Sequence, residues 1–346
     1  MARRLIPAIL LAALVAVTPL LAAAKIQAAR PAPAPRALRT ITLGMGYIPN
    51  VQFAPFYVAG QHGYYRQAGL RVNFLYGSSP NLLELAATGR DDFAIADGAD
   101  VIAAGAQGVP VTDVMTMYQR LPVAVFALAG KHIRRVSDLR GKTIGVPGRY
   151  GSSYAALLVA LRLGGLRPDR DVTIKSIGYN QAVSVQSGQV DAAVDYSTNG
   201  PVILARHGVK IDTLQIGTMT NLVGAGVIVG RALIARDPSL VRAFVQATLR
   251  GLAATIEDPR AAFAIARTAT GLPPLRGSDI ADQYAVLQGA IPFWHDSVTR
   301  AHGLGYADPT QWSGSARTLQ EIGQVAHAPA TSSLIANNFS SGAPKL

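Results

Sequence analysis

One pattern occurs twice along this chain and limits the folds open to it. A short apolar run is followed by a turn bearing glycine, serine or aspartate, then by a segment with helical spacing. In the first copy Ile41–Tyr47, Arg71–Leu75 and Asp92–Ala96 read as strands, and Phe53–Ala68, Asn81–Thr88 and Val101–Gly105 as helices. Val111–Tyr118 and Val123–Ala129 follow as strands. The pattern restarts with strands at Thr143–Val146, Val172–Ile177, Ala192–Tyr196, Thr213–Ile216 and Val223–Val229, and helices at Ser153–Leu163, Asn180–Ser187 and Thr198–His207. Gly69, Gly89 and Gly188 stand where C-caps belong. Such alternation specifies a parallel sheet flanked by helices, and its repetition specifies two α/β lobes. From Pro238 to Ile256 the apolar residues keep helical spacing, and the remainder reads as helix or loop.

Ligands of open α/β sheets bind outside the carboxyl ends of the strands. The turns there are therefore the candidate site. After the first strand, Asn50, Gln52, Phe53 and Phe56 offer two amides and two rings. Phe53 and Phe56 are three apart, which also suits two core residues of one helix. Ser78 follows the second strand and Asp97 the third, while Tyr118 and Arg120 stand where the first unit leads into the next. Tyr196 and Asn199 end a strand of the second unit. The stretch VPGRYGSSYAALL places Tyr150, Gly151, Ser152 and Ser153 where a strand hands over to a helix. The free N–H groups and dipole of a helix start hold polar or anionic groups, and a serine there also serves as an ordinary N-cap. The rings among these residues suit a flat heteroaromatic ligand. Arg120 is expected to pair with an anionic or carbonyl group at its rim.

The chain begins with Arg3 and Arg4, an apolar run from Leu5 to Ala24, and the small residues Ala22-Ala23-Ala24. Residues 1–24 read as a signal peptide, with an uncleaved membrane anchor as the alternative. Residues 25–39, rich in Pro, Ala and Arg, read as a linker. The formal charge of +12 falls to +10 when the two leader arginines are removed. The cations are scattered, so a basic surface or solubility is implied and nucleic acid is not. With no cysteine, a lipid-anchored lipoprotein, a thiolate metal site and a cysteine nucleophile are excluded. There is no GxSxG elbow, Walker A loop or HExxH motif, and the six histidines show no metal-ligand spacing. No catalytic residue, cofactor or metal is expected.

The segments GYIPNVQFAPFYVAGQHGYYRQAGLRV, ATGRDDFAIADGADVIAAGAQGVPV, DLRGKTIGVPG, SGQVDAAVDY and PSLVRAFVQATLRGL resemble ABC-transporter substrate-binding proteins of the nitrate/sulfonate/taurine type. They resemble most its relatives that bind thiamine pyrimidine precursors (ThiY-like) or riboflavin (RibY-like). The resemblance covers about Ile41 to Ile265. It implies a type II periplasmic-binding fold with lobe one at 40–127 and 225–346, lobe two at 128–224, and a hinge of two crossings near Ala127 and Gly224. It further implies a monomer in the periplasm or at the outer face of the cytoplasmic membrane, whose partners are a small molecule, an ABC permease and an ATPase. A thiamine pyrimidine precursor or riboflavin is the expected ligand, with a sulfonate, taurine or nitrate as the alternative. Eukaryotic relatives are thiamine pyrimidine synthases that use bound pyridoxal phosphate, a Cys-rich motif and a cleft lysine or histidine. The missing cysteine and the leader speak against that activity.

Overall fold

The computed structural model describes residue 1, residues 37–269 and residues 271–346. The expected signal peptide and residues 25–36 of the linker lie outside the described residues. Among those described, no helix is long and apolar enough to cross a membrane.

The chain opens with β1 (Arg39–Gly44), a 3-10 turn (Val51–Phe53), α1 (Ala54–Gln61), α2 (Tyr64–Gln67) and β2 (Leu70–Leu75). It continues through α3 (Ser79–Thr88), β3 (Phe93–Asp97), α4 (Gly98–Ala106) and β4 (Val111–Thr116). A second unit holds β5 (Val123–Leu128), β6 (Thr143–Val146), α5 (Gly151–Leu163), β7 (Thr173–Ser176), α6 (Gln181–Gln186), β8 (Ala192–Tyr196), α7 (Gly200–Arg206) and β9 (Ile211–Leu214). The chain returns through β10 (Ala225–Gly230), α8 (Arg231–Arg236), α9 (Pro238–Glu257), α10 (Pro259–Ala266), α11 (Ser278–Ala290), α12 (Ser297–His302) and α13 (Pro309–Glu321).

Two five-stranded sheets result, ordered β2-β1-β3-β10-β4 and β7-β6-β8-β5-β9. Neither is wholly parallel, a correction to the simple alternation. β10 runs antiparallel to β3 and β4, and β5 runs antiparallel to β8 and β9. Each antiparallel strand is the one that arrives directly from the other lobe, so both sheets acquire the same mixed pattern. The two-lobed α/β arrangement, with two crossings and a helical tail, is the one the resemblance implied.

β5 belongs to the second sheet along its whole length, which moves the first crossing from Ala127 to residues 117–122. Pro122 marks the real break, because it has no N–H to continue a ladder. The return crossing lies between Leu214 and Ala225 and runs against the first. Met117 N and Tyr118 N both donate to Ala225 O, at 3.0 and 2.9 Å. Gly224 permits this approach, since a Cβ there would stand 2.5 Å from Tyr118 Cβ.

Phe53–Ala68 was expected as one helix and is instead three pieces. Gly63, at φ +72°, interrupts it, and the 3-10 turn shifts the phase of its start. α9 follows its sequence spacing: Leu240, Val241, Phe244, Val245, Leu249 and Leu252 are buried against lobe one. Phe244 stacks on Phe93 with centroids 4.1 Å apart. Full burial of such a side chain contributes about 1.5–3 kcal/mol. α11 lies against both the 3-10 turn and α7. There buried Asp282 accepts from Arg206 Nε at 2.6 Å, and His207 Nε2 lies 2.6 Å from its other oxygen.

Candidate functional site

A cavity of about 110 Å³ lies between the two sheets. Lobe one lines it with Tyr47 after β1, Gln52 and Phe53 of the 3-10 turn, Ser79 at the start of α3, Asp97 ending β3, Asp100 in α4, and Tyr118 of the first crossing. Lobe two adds Tyr150, Gly151 and Ser153 before and in α5, Tyr179 and Gln181 around the start of α6, Asp195 and Tyr196 ending β8, and Asn199 just after it. Every one of these groups sits at the carboxyl end of a strand or the start of the following helix, as the sheet rule requires.

The lobes meet across this cavity through aromatic and polar contacts. Tyr47 and Tyr179 pack edge to face at 4.5 Å, and Tyr118 meets Tyr196 at 5.6 Å. Gln52 Nε2 donates to Thr198 Oγ1 at 2.8 Å. Within lobe two, Tyr150 and Tyr179 share a hydroxyl contact at 3.3 Å.

The most informative contact is at the start of α5. Its free N–H groups are taken by carboxylates of lobe one. Gly151 N donates to Asp100 Oδ1 at 2.8 Å, and Ser152 N to Asp97 Oδ2 at 2.9 Å. Tyr196 Oη donates to Asp97 Oδ1 at 3.1 Å. Gly151 adopts φ +73°, and a Cβ there would come within 3.2 Å of Asp97 Oδ2, so glycine is required twice over. Asp195 accepts from its neighbours Tyr196 N at 2.7 Å and Gly200 N at 3.0 Å.

These acids are stabilised by neutral donors in a buried setting, and desolvation dominates them. Burial pushes Asp100 up to about 7, the charge of Asp97 adding to it and Ser79 Oγ and Gly151 N opposing. Burial likewise lifts Asp195 to about 7 against its backbone donors and Asn199. Asp97 is raised by burial, opposed by Ser152 N and the Tyr196 hydroxyl. No lysine, arginine or histidine lines the cavity. Among the described residues, no cluster of His, Asp and Glu is arranged to hold a metal.

Of the sequence-predicted residues, Gln52, Phe53, Asp97, Tyr118, Tyr150, Gly151, Ser153, Tyr196 and Asn199 line this one cavity. Five others do not. Asn50 caps the 3-10 turn, its Oδ1 accepting from Gln52 N. Phe56 is fully buried in the core of lobe one, its ring meeting that of Phe53 edge to face at 6.4 Å. Ser78 precedes α3 and leaves the cavity to Ser79. Arg120 is exposed, donates to Pro292 O and lies over the Phe293 ring. Ser152 is fully buried, its Oγ donating to Val223 O at 3.2 Å, and neither serine caps α5 through its side chain. Tyr47, Ser79, Asp100, Tyr179, Gln181 and Asp195 were missed. The turn after β7, with Gly178 and Tyr179, meets the same strand-end rule that found the others. Asp100 and Asp195 needed knowledge of which helix start faces which lobe.

Residues 50–262 match the family described as NMT1/THI5 like. The chain belongs to the NMT1/THI5-like family. This member is 41% identical over 317 residues to the riboflavin-binding protein RibY of Chloroflexus aurantiacus, with 90% of each chain covered. It is 27% identical over 229 residues to the 4-amino-5-hydroxymethyl-2-methylpyrimidine phosphate synthase of Legionella pneumophila, covering 64% of this chain and 71% of the relative. Among solved structures, its fold matches the alkanesulfonate-binding protein SsuA of Xanthomonas axonopodis pv. citri with a TM-score of 0.68. That match has 18% identity and covers 86% of this chain and 98% of the other. This NMT1/THI5-like chain thus has the periplasmic binding protein fold.

Proposed function

We propose that this protein is the extracytoplasmic solute-binding component of an ABC importer and that it takes riboflavin between its lobes. The observation that carries the reading is the cation-free cavity walled by Phe53, Tyr47, Tyr118, Tyr150, Tyr179 and Tyr196, in a chain 41% identical to a riboflavin-binding protein. A planar isoalloxazine gains edge and face contacts from such rings, each worth about 0.5–1.5 kcal/mol beyond the area they bury. Its ribityl hydroxyls supply donors for the carboxylates and for Asn199. Gln52, Ser153 and Gln181 offer further polar contacts. The apolar leader from Leu5 to Ala24 supports an exported chain, which as a monomer delivers its cargo to a permease driven by an ATPase. The synthase activity of distant relatives is disfavoured by a cavity with neither lysine nor histidine. A protonated aminopyrimidine is the second reading, because Asp97, Asp100 and Asp195 would pair with it.

Titration of the ligand-stripped protein with riboflavin, a thiamine pyrimidine precursor and taurine tests the reading. Riboflavin is expected to bind with quenching of flavin fluorescence, and Tyr150→Ala to weaken it roughly tenfold, the loss of one stacking contact. Tight taurine binding with no heterocycle bound overturns it.

A further inference from the structure

We infer that the cleft excludes anions: it accepts an uncharged or cationic heteroaromatic ligand rich in donors and rejects the phosphorylated or sulfonated counterpart, because Asp97 and Asp100 already fill the helix start where an anion would sit. The inference rests on the proposal that this cavity is the ligand site, and it concerns which ligands enter.

The start of a 13-residue helix, α5, would ordinarily attract an anion to its free N–H groups. Here both N–H groups that open the helix are bonded to carboxylates of the opposite lobe. An incoming phosphate would have to displace those bonds and then share the cavity with Asp97, Asp100 and Asp195, with no cation among the lining residues to offset the repulsion. The unmet hydrogen-bonding capacity points the same way. Asn199 Oδ1 is buried and has no partner. Asp100 Oδ2 and Ser79 Oγ are buried and reach hydrogen-bond geometry with nothing, although the hydroxyl lies close enough to ease the carboxylate's charge. Asn199 Oδ1 only accepts, and Asp100 Oδ2 does so whenever its carboxyl is ionised. The ligand must bring N–H or O–H groups to them, which hydroxyls do and a phosphate dianion does not.

The test uses matched pairs on the full chain, stripped of ligand: riboflavin against flavin mononucleotide, and 4-amino-5-hydroxymethyl-2-methylpyrimidine against its phosphate. Like-charge juxtaposition in a closed site predicts that the ester binds at least about 100-fold more weakly than its parent. Riboflavin and its mononucleotide binding within about threefold of each other overturns the inference and leaves the riboflavin proposal standing. Binding of the unphosphorylated pyrimidine alone, with its ester and both flavins rejected, overturns riboflavin as cargo and keeps the inference. A ligand-independent arm measures melting with inorganic phosphate against chloride. No saturable stabilisation is expected, and clear stabilisation of the unaltered protein overturns the inference. The Asp97→Asn/Asp100→Asn double variant is expected to shrink the discrimination to below about tenfold. A folded double variant that discriminates as before removes these two carboxylates as the cause.

Discussion

The cleft and a second groove, lined by Arg140, Arg167, Asp169 and Asp171 of lobe two and by Ile322 and Gln324 of the tail, both carry aspartates and treat them in opposite ways. In the groove, Asp171 takes Arg140 at 2.9 Å and Arg167 at 3.4 Å, and Asp169 takes Arg149 at 2.6 Å. Hydrogen bonds from those arginines and from nearby backbone hold both acids below their ordinary range. In the cleft, Asp97, Asp100 and Asp195 meet N–H and O–H groups without a cation, and burial drives them upward. The chain carries a formal charge of +12, yet none of the described lysines, arginines or histidines lines the cavity, which is acidic. Net charge therefore says little about the ligand. What matters is which donors reach each carboxylate and how much water is left around it.

Removing an acid from the cleft is the strongest test of that contrast. Asp97→Ala leaves Ser152 N–H and the Tyr196 hydroxyl without their acceptor. An unsatisfied buried donor costs about 1–3 kcal/mol, so a loss of roughly 2–4 kcal/mol is expected in urea unfolding. A loss below about 0.5 kcal/mol would show that water already solvates these groups and that the cleft is no different from the groove.

Next in size is the effect of pH. Asp100 and Asp195 are raised to about 7, and Asp113 to about 8 by burial, opposed by Thr116 and the Met115 backbone. A carboxyl raised in the folded state contributes stability that is present below its unfolded pKa and lost as pH rises through the folded one. Melting temperature should therefore drop by several degrees between about pH 5 and pH 8, most of the way from the unfolded carboxyl value to the folded ones. Asp113 accepts from Thr116 Oγ1 at 3.1 Å while its Oδ2 has no partner. Asp113→Asn should flatten the drop. A melting temperature that rises over this interval would mean that these acids ionise without penalty.

A smaller effect is expected at the neutral contact across the cleft. Gln52 Nε2 and Thr198 Oγ1 are buried together. Gln52→Ala should cost about 1 kcal/mol of stability and weaken ligand binding by less than about tenfold. Binding lost altogether, with stability kept, would make Gln52 a ligand contact first and a bridge between lobes second.

The same contrast explains what could be read from the sequence. Strands such as Thr143–Val146 and Ala192–Tyr196 appear as expected, because a short apolar run closed by a polar turn is a local signal. Tyr118, Tyr150 and Tyr196 reached the cavity because strand ends in such sheets face a common edge. The occupant of the α5 start was illegible. Asp97 and Ser152 are 55 residues apart, and no local pattern says that one lobe's acids reach the other's helix. The place of β5 was hidden for a related reason, since its alternation fits either sheet and only Pro122 marks the turn away. Phe56 went into the core, because its spacing from Phe53 suits two core residues of one helix as well as two cleft residues.

The smallest expected effect lies in the groove, at Asp169. Its carboxylate forms a two-pronged pair with Arg149, at 2.6 and 2.7 Å, and the two side chains are 49% and 44% exposed. Asp169 has φ +58°, a conformation asparagine tolerates, so Asp169→Asn removes the charge and adds little strain. Arg149 keeps its bond to Ile174 O and its place over the Tyr154 ring. An exposed pair of this kind is screened by water and salt, and the change should stay within about 0.5 kcal/mol. The sign with pH is opposite to that of the cleft. An acid lowered by its partner contributes stability above its unfolded pKa and loses it as pH falls, so Asp169→Asn and the parent should converge in acid. Arg149 immediately precedes Tyr150, whose ring lines the cavity, which gives the measurement a second use. Ligand affinity unchanged in Asp169→Asn would confirm that groove and cleft are electrostatically separate. A stability loss above about 1.5 kcal/mol, or a tenfold weaker ligand, would show that this exposed pair holds the turn before α5 in place and that the two regions act as one.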